Sequence, residues 1–383
     1  MGLKFFFISD VELDSGDAST THSLELFKNL GKFNETYLFM RKSKSILKLD
    51  RVIYVPVPFS FLKAVIFQIS LFFYLFYYSI KHSPTVFYMR YSLLGFSPFL
   101  ISYFFRIPLV IEINGLSIDE NEMSRKKPKF IVYLAKVSPK ICYKHADKIV
   151  TVTKEIRDII VKNYGLSNDD VVAISNGANI DFFHDNNKGE SKKKLSLKNE
   201  ALYVCFFGSL ASWQGVEFLI NSAPIVLEKF PLVKFLIVGD GPLRLELEVL
   251  VEKLKVTESF IFTGKVDYDL VPNYISACDI CVIPKRPLKS GYSPLKLYES
   301  MACARPIVAS RLSGFEVLEE TNSGVLVTPE DYNDLARGIN LLLADPSLRE
   351  TMGRNGREYV VKNHSWESVA RKVADVCESA IRK

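Results

Sequence analysis

The stretch GYSPLKLYESMACARPIVA, residues 291–309, predicts a helix that is followed closely by a buried strand. Gly291 stands just before Ser293, a residue type that caps helix N-termini, and Pro294 suits the first helical position. The apolar run at 306–309 has the composition of a strand inside a parallel sheet. Because alternating helices and short apolar strands build α/β domains, the stretch predicts an α/β fold.

The same stretch predicts an anion site at the start of its helix. Free backbone N–H groups and the positive end of the helix dipole suit a phosphate or pyrophosphate. Lys296 and Glu299 are three residues apart and share one helix face. The carboxylate therefore lies about 4.5 Å further along the axis, where it can accept two hydrogen bonds from a ribose diol. We interpret the segment as a clamp for a nucleotide diphosphate.

The length and composition indicate two folded domains. The 383 residues are 48% hydrophobic and 24% charged, which argues against disorder and suits two cores. Short apolar runs alternate with helical patterns in both halves, and residues 184–200 are polar and read as a connection. The predicted division is an N-terminal domain at 1–183, a linker at 184–200, a C-terminal domain at 201–365 and a final helix at 366–383. Strands are predicted near 4–8, 36–40, 52–55, 85–88, 109–113, 148–152, 171–174, 201–208, 233–238, 259–263, 279–283, 306–309 and 324–327.

The positive charge is concentrated in the first half. Residues 1–180 carry 23 Lys and Arg against 16 Asp and Glu, whereas the remainder carries 26 against 27. An anionic partner fits this bias, such as a phosphorylated acceptor or an acidic membrane surface, although ordinary solvated lysines fit it equally well. No nucleic-acid partner is expected, because the basic half lacks an aromatic and basic binding module. The scattered cysteines favour a reduced, cytoplasmic protein.

Residues 59–80 form the most apolar segment of the chain. Lys63 is their only charge, and 22 residues are long enough to span a bilayer. The segment also lies between two predicted strands, where a crossover helix is needed to keep the sheet parallel. A wholly buried helix and an interfacial helix both remain open, and we favour peripheral attachment at the inner face of the membrane.

Three glycine turns follow predicted strand ends in the second half. They contain Gly208, the pair Gly239 and Gly241, and Gly264. Open α/β sheets bind ligands at the carboxyl ends of their strands. Each turn alone is a weak signal, but the three turns followed by the 291–299 helix form a strong one.

With these motifs the sequence resembles glycosyltransferase family 4, retaining nucleotide-sugar enzymes of the GT-B fold. The resemblance covers nearly the whole chain. It is carried by SNGANIDFF at 175–183, GDGP at 239–242, GKV at 264–266, ACDICVIP at 277–284 and LYESMACARPIVA at 297–309. It implies two Rossmann-like domains that face each other across a cleft, with the C-terminal helix packing back on the N-domain. It also implies a nucleotide-sugar donor and a glycan or lipid-linked acceptor.

The resemblance assigns roles to individual residues. Glu299 would bind the ribose, the backbone from Tyr292 to Lys296 the diphosphate, and the loop at Lys265 and Val266 the base. Asn114, where many members carry a histidine, would contact the donor sugar and join Lys296 and Glu299 as the catalytic set. The donor-binding set comprises Gly16, Gly208, Ser209, Gln214, Gly239, Gly241, Lys265, Val266, Tyr292, Ser293, Pro294, Leu295, Lys296 and Glu299.

Three positions depart from the family pattern. Ser209 and Gln214 stand where the family usually has an arginine and a lysine, and Gly291 stands where it has the first of two paired glutamates. Lys296, with Arg286 or Lys289, is predicted to restore the phosphate charge. The rival interpretation is a degenerate protein that binds nucleotide or glycan without turnover.

Three further side chains have open interpretations. Glu112 is either structural or orients the acceptor, His22 faces the cleft or the surface, and Arg90 binds an acceptor phosphate or forms a surface ion pair.

No metal or other cofactor is expected from the sequence. It contains no cluster with metal-ligand spacing and no Asp-x-Asp pair at a predicted strand end. Helix dipoles and lysines would then stabilise the leaving diphosphate. Retaining transfer to a lipid-linked or polysaccharide acceptor is expected, with a soluble glycoside as the second choice.

Overall fold

The computed structural model describes residues 2–15, 18–44, 49–57, 63–92, 95–115, 137, 139–292 and 295–382. The chain divides into two units, residues 1–176 with 366–383, and residues 177–365. Gly16, Ser293, Pro294 and the first residues of the apolar segment at 59–80 lie outside the described residues.

The first unit is built on a seven-stranded parallel sheet with the order β3-β2-β1-β4-β5-β6-β7. All three phenylalanines at positions 5–7 are buried, which is expected when helices cover both faces of a parallel sheet. The strands are β1 (Lys4–Ile8), β2 (Glu35–Arg41), β3 (Val52–Val55), β4 (Val86–Arg90), β5 (Leu109–Ile113), β6 (Lys148–Thr151) and β7 (Val171–Ala173). Its helices are α1 (Ala18–Leu30), α2 (Lys63–His82), α3 (Phe96–Phe105), α4 (Lys154–Tyr164) and the C-terminal α13 (Trp366–Ile381), and residues 139–145 are also helical.

The second unit repeats this plan with six parallel strands in the order β10-β9-β8-β11-β12-β13. This order, in which the direction of strand addition reverses at the first strand, is that of a Rossmann fold. The strands are β8 (Tyr203–Phe207), β9 (Lys234–Val238), β10 (Phe260–Gly264), β11 (Ile280–Ile283), β12 (Ile307–Ser310) and β13 (Gly324–Val327). The helices are α5 (Lys188–Lys194), α6 (Val216–Lys229), α7 (Arg244–Lys253), α8 (Val271–Ala277), α9 (Leu295–Ala302), α10 (Val317–Glu320), α11 (Tyr332–Ala344) and α12 (Pro346–Asn363).

The predicted α/β architecture of two Rossmann-like domains is confirmed. The C-terminal helix α13 packs against α1, and the Trp366 ring meets the His22 ring edge-on at 5.1 Å between centroids. The division between the units falls after Asn176, earlier than the predicted boundary at 183. The reason is that Ala178 and Phe183 are buried in the core of the second unit.

The segment at 184–200, predicted as a linker, belongs to the second unit and contains helix α5. Lys192 is buried there and donates hydrogen bonds to the carbonyl oxygens of Asn199 at 2.9 Å and Ala201 at 2.7 Å. A lysine-rich composition therefore hides a packed helix, because the ammonium of Lys192 is satisfied by backbone oxygens rather than by water.

Helix α2 is the crossover between the parallel strands β3 and β4. Phe67, Leu71 and Leu75, at helical spacing, are buried in the core of the first unit. By length and composition this helix could also cross a membrane. Its other face carries exposed aromatic and aliphatic side chains, so the helix has one buried and one open apolar face.

Candidate functional site

Three glycine turns of the second unit pack against one another where strands β8, β9 and β10 end. Gly208, Gly239 and Gly264 have φ angles of 125°, 129° and 69°, a region that side chains disfavour. The Gly208 N–H donates to the Val238 carbonyl at 2.8 Å, and the Gly239 N–H donates to the Gly264 carbonyl at 3.0 Å. A Cβ on Gly239 would collide with the Gly208 carbonyl oxygen. The turns therefore form one backbone surface.

Gly241 extends this surface. A Cβ there would come within 2.6 Å of the Leu210 backbone nitrogen and oxygen, and the Leu210 N–H donates to the Asp240 carbonyl at 2.9 Å. The predicted glycines 208, 239 and 241 thus lie together, and each is a glycine because a Cβ there would collide with a neighbouring group.

Lys296 of helix α9 reaches over the first turn. Its Nζ donates to the Gln214 amide oxygen at 3.0 Å and lies 4.5 Å from the centroid of the Phe206 ring. A Cβ on Gly208 would collide with this ammonium, so glycine leaves the space that the lysine occupies. Burial lowers the pKa of Lys296, the charge of Lys285 lowers it further, and Glu299 opposes the shift. The structure therefore places the Lys296 ammonium next to Gln214, the position where the family usually has a lysine.

Glu299 lies one turn further along α9 and is partly buried. Its carboxylate has no ion pair or side-chain hydrogen bond in the described part of the chain. Burial raises its pKa to about 7, and the nearby Lys296 limits the rise. A carboxylate without a protein donor can accept hydrogen bonds from a ligand.

Lys285 is a residue of this region that the sequence analysis missed. It follows strand β11 and Pro284, only 8% of it is exposed, and its Nζ lies 4.0 Å from the centroid of the Tyr292 ring. Burial lowers its pKa to about 8. The Lys-Arg pair after the strand was a visible signal, but only Arg286 was considered.

Arg286 does not supply the missing charge. Its Nη2 pairs with the Glu217 carboxylate at 2.6 Å, it also pairs with Glu330, and its guanidinium lies over the Phe218 ring. Two carboxylates already neutralise this cation. Lys289, the other predicted substitute, is exposed.

Arg244 is a second missed cation, near the third turn. A Cβ on Gly264 would lie 2.8 Å from its Nη1. Its guanidinium pairs with Glu248 at 2.9 Å and Asp240 at 3.4 Å. Its spacing four residues from both carboxylates was a readable signal for a helix ion pair.

The other predicted donor residues occupy the same end of the sheet. Tyr292 is buried, its hydroxyl donates to the Arg286 carbonyl at 2.7 Å, and its N–H donates to the Ser313 carbonyl at 3.3 Å. Leu295 begins helix α9, Ser209 and Lys265 are exposed, and Val266 packs against the core. Gln214 is buried, and its amide oxygen accepts the Lys296 hydrogen bond.

In the first unit, Asn114 follows strand β5, and its amide nitrogen is buried without a hydrogen-bond partner among the described residues. Glu112, two residues earlier, lies 2.6 Å from His22 Nε2, and His22 Nδ1 lies 2.7 Å from the Asn176 oxygen. Burial alone would raise the pKa of Glu112, but the charges of His22 and Arg90 outweigh it and the pKa is lowered. Glu112 and His22 are therefore each other's partners.

Arg90 is held by the start of helix α1. Its guanidinium donates to the Ser19 carbonyl at 2.8 Å and to the Ser19 hydroxyl at 3.0 Å. These bonds give Arg90 a structural role in the first unit.

Among the described residues, no group of three or more His, Cys, Asp or Glu side chains is placed to hold a metal ion.

Comparisons with known proteins find matches in both units of the chain. Residues 19–182 match the family described as Glycosyltransferase Family 4, and residues 187–359 match Glycosyl transferases group 1. The chain is 28% identical over 241 residues to an uncharacterised glycosyltransferase of Methanocaldococcus jannaschii. That match covers 61% of this chain, and the chain spans only 60% of that relative's own length.

Solved structures share the fold over nearly the full chain. Sucrose-phosphate synthase of Thermosynechococcus elongatus has a TM-score of 0.80 at 21% identity, covering 98% of both chains. Anabaena HepE, solved in complex with UDP and glucose, has a TM-score of 0.78 at 18% identity, covering 98% of this chain and 100% of its own. These likenesses confirm the predicted GT-B fold class.

Proposed function

This chain belongs to the family 4 glycosyltransferases, and on that premise we propose that it transfers a sugar from a nucleotide-diphospho-sugar to a lipid-linked or polysaccharide acceptor. The observation that carries the donor assignment is the meeting of Lys296, Gln214 and the Gly208 turn at the carboxyl end of the second sheet. A structural neighbour of the same fold was solved with UDP, which supports a nucleotide ligand for a protein of this fold.

The proposed roles follow from the chemistry of each group. The α9 helix end and the Lys296 ammonium stabilise negative charge on the diphosphate, both in the bound donor and as it leaves. Ionised Glu299 accepts the ribose hydroxyls. The first unit binds the acceptor, and Asn114, whose amide nitrogen has no hydrogen-bond partner among the described residues, contacts the donor sugar. We propose retention of anomeric configuration and independence of metal ions, because lysines supply the positive charge.

A binding panel tests the donor site. Melting temperatures are measured with UDP, GDP, ADP, CDP and dTDP, since a ligand that binds only the folded state stabilises it. We expect one or two of them to raise the melting temperature of the natural protein and of the control Glu252→Ala, which changes an exposed glutamate on α7. Glu299→Ala should lose the shift. A shift that survives in Glu299→Ala contradicts the ribose assignment.

We further propose peripheral attachment to an anionic membrane from the cytoplasmic side. The surface is formed by α2 and α3, which pack together through Phe76 and Phe105 at 5.5 Å between ring centroids. Large apolar side chains project from both helices, with Phe73 65%, Tyr103 88% and Phe104 69% exposed. Neither helix contains an acidic residue, and the exposed Lys63, Lys81 and Arg106 flank the surface. Aromatic faces bordered by cations suit the headgroup region of acidic lipids.

Sedimentation with lipid vesicles tests this surface. The natural protein should bind vesicles containing phosphatidylglycerol more strongly than vesicles of phosphatidylcholine alone. Changing Phe73, Tyr77 and Ile80 together to serine should abolish binding. The matched control changes three equally exposed apolar residues of the second unit, Leu232, Leu245 and Val249, to serine. The membrane proposal would be contradicted if the protein bound neither kind of vesicle, or if it dimerised through this face instead.

A further inference from the structure

Lys285 is a buried ammonium for which the described part of the chain provides no anionic partner. It forms no hydrogen bond or ion pair there, and its Nζ lies 4.0 Å from the centroid of the Tyr292 ring. The attraction of a cation to an aromatic face is weaker than the cost of removing an ammonium from water, so the ring contact alone does not offset the burial. A buried charge of this kind is explained when a ligand supplies the counter-charge.

A second poorly solvated cation lies nearby. Lys296 donates to a neutral amide, that of Gln214, rather than to a carboxylate. The charge of Lys285 acts on Lys296 and disfavours its protonated form, so the two ammonium groups repel one another. Glu299 carries the one carboxylate whose charge acts on Lys296 among the described groups. Because Lys285 has no anionic partner in the described part of the chain and Lys296 has one carboxylate nearby, the two lysines leave a net positive charge in a region shielded from water.

The segment that carries Lys285 is fixed to the predicted donor site. The Arg286 N–H donates to the Trp213 carbonyl at 3.2 Å, next to Gln214. A Cβ on Gly215 would collide with the Pro284 carbonyl, so the two loops touch backbone to backbone. The Tyr292 hydroxyl donates to the Arg286 carbonyl, which ties the start of the α9 region to the same loop. Lys285 is thus held beside the loops that the donor diphosphate would face.

We propose that Lys285 is a second phosphate-binding cation of the donor site and acts with Lys296 on the diphosphate of a nucleoside diphosphate. This inference rests on the proposed function. It explains how the site keeps two cations although Ser209 and Gln214 replace the usual ones. The Tyr292 ring would hold the ammonium until the anion arrives.

Donor binding should then take up protons. Because burial lowers the pKa of Lys285 to about 8, roughly half of these side chains are neutral at pH 8 before a ligand binds. A bound diphosphate favours the charged form, so protons enter from the buffer. Among the described residues, the titratable groups that face the two lysines are Glu299 of α9 and Cys205 of β8, which act on Lys296, and Tyr292, whose ring lies against Lys285.

Isothermal titration calorimetry at pH 8 tests the inference. UDP, or whichever diphosphate stabilises the protein in the panel above, is titrated in two buffers of different ionisation enthalpy. The variants are Lys285→Met, which keeps the length and removes the charge, and Lys285→Arg, which keeps the charge. Lys253→Met, an exposed lysine on α7, is the control. Melting temperatures without ligand establish that each variant is folded.

We expect Lys285→Met to bind the diphosphate at least 10-fold more weakly and to take up fewer protons than the natural protein, whereas Lys285→Arg keeps most of the affinity. Equal affinity and equal proton uptake in Lys285→Met would overturn this inference and leave the proposed function intact. Failure of every nucleoside diphosphate to bind the folded natural protein would overturn both.

Discussion

Burial raises the pKa of Glu299 to about 7, although Lys296 pulls it down. The folded protein therefore binds this proton more tightly than the unfolded chain, whose glutamate has a pKa of 4.5. Stability contributed by this group is present below the unfolded value and falls as the pH rises from about 4.5 to about 7. The folded state thus gives up stability to keep an ionised carboxylate at neutral pH, a cost that a ligand-binding role would justify.

The variant Glu299→Gln separates the effect of this carboxylate on stability from its effect on ligand binding. At pH 8 the variant should be more stable to urea by up to about 3 kcal/mol, and at pH 5 by about 1 kcal/mol, because the amide carries no charge to desolvate. Nucleoside diphosphate affinity should fall about 10- to 100-fold at pH 8 with the loss of charge-assisted hydrogen bonds. In the natural protein, affinity should also decline as the pH falls below 7. A variant that is destabilised at pH 8 but binds normally would contradict the role of Glu299 and the burial argument together.

Lys296 is partly buried, whereas Lys265, the lysine next to the third turn, is exposed. We expect Lys296→Ala to lower kcat/KM about 100-fold, since it removes a charge that is shielded from water and close to the proposed diphosphate. Lys265→Ala should cost only a few-fold, because Lys265 is exposed and solvent screens its charge. Steady-state kinetics with one nucleotide sugar compares them. Equal losses for the two variants would argue against Lys296 as the main phosphate cation.

Residue spacing alone was enough to predict that Lys296 and Glu299 share one face of a helix, because residues three apart are neighbours on the helix surface. Lys285 could not be found in that way. Its importance depends on burial and on the nearby Lys296, which belongs to a different element, and both properties arise only when β11 and α9 are packed. For the same reason the pairing of His22 with Glu112, residues far apart in the chain, was not predicted.

At the scale of elements, the glycine turns make a steric prediction. Gly239→Ala should be destabilising by several kcal/mol, because the new Cβ adopts a disfavoured φ and collides with the Gly208 carbonyl. Gly165→Ala is the matched control, since Gly165 also has a positive φ but no atom within 4 Å of the added Cβ. The control should lose only about 1–2 kcal/mol. Urea denaturation of both variants measures the difference, and equal losses would refute the close packing of the turns.

Strands and helices were the most predictable elements, because short apolar runs between glycine and polar clusters marked nearly every strand. Helix α2 shows what apolar patterns do not predict. Its sequence is aromatic around most of its circumference, so periodicity could not say which face is buried. The structure shows that Phe72 packs on the core while Phe73 is exposed, a distinction that depends on the sheet beneath.

At the scale of the whole molecule, composition predicted two domains, but the boundary required packing. Residues 177–183 were assigned to the first domain, yet Phe183 fills the core of the second unit. The return of α13 to the first unit means that this unit contains both ends of the chain.

The proposed function requires that the second unit holds a nucleotide-diphospho-sugar in a catalytically competent site without a metal ion. Its most direct test is nucleoside diphosphate release from UDP-glucose, GDP-mannose and related donors, followed with and without EDTA. We predict release from at least one donor that EDTA does not suppress and that Glu299→Ala abolishes. The contradicting result is that the natural protein binds a nucleoside diphosphate tightly but shows no release from any donor and no transfer to any acceptor. That result would establish a binding protein without turnover.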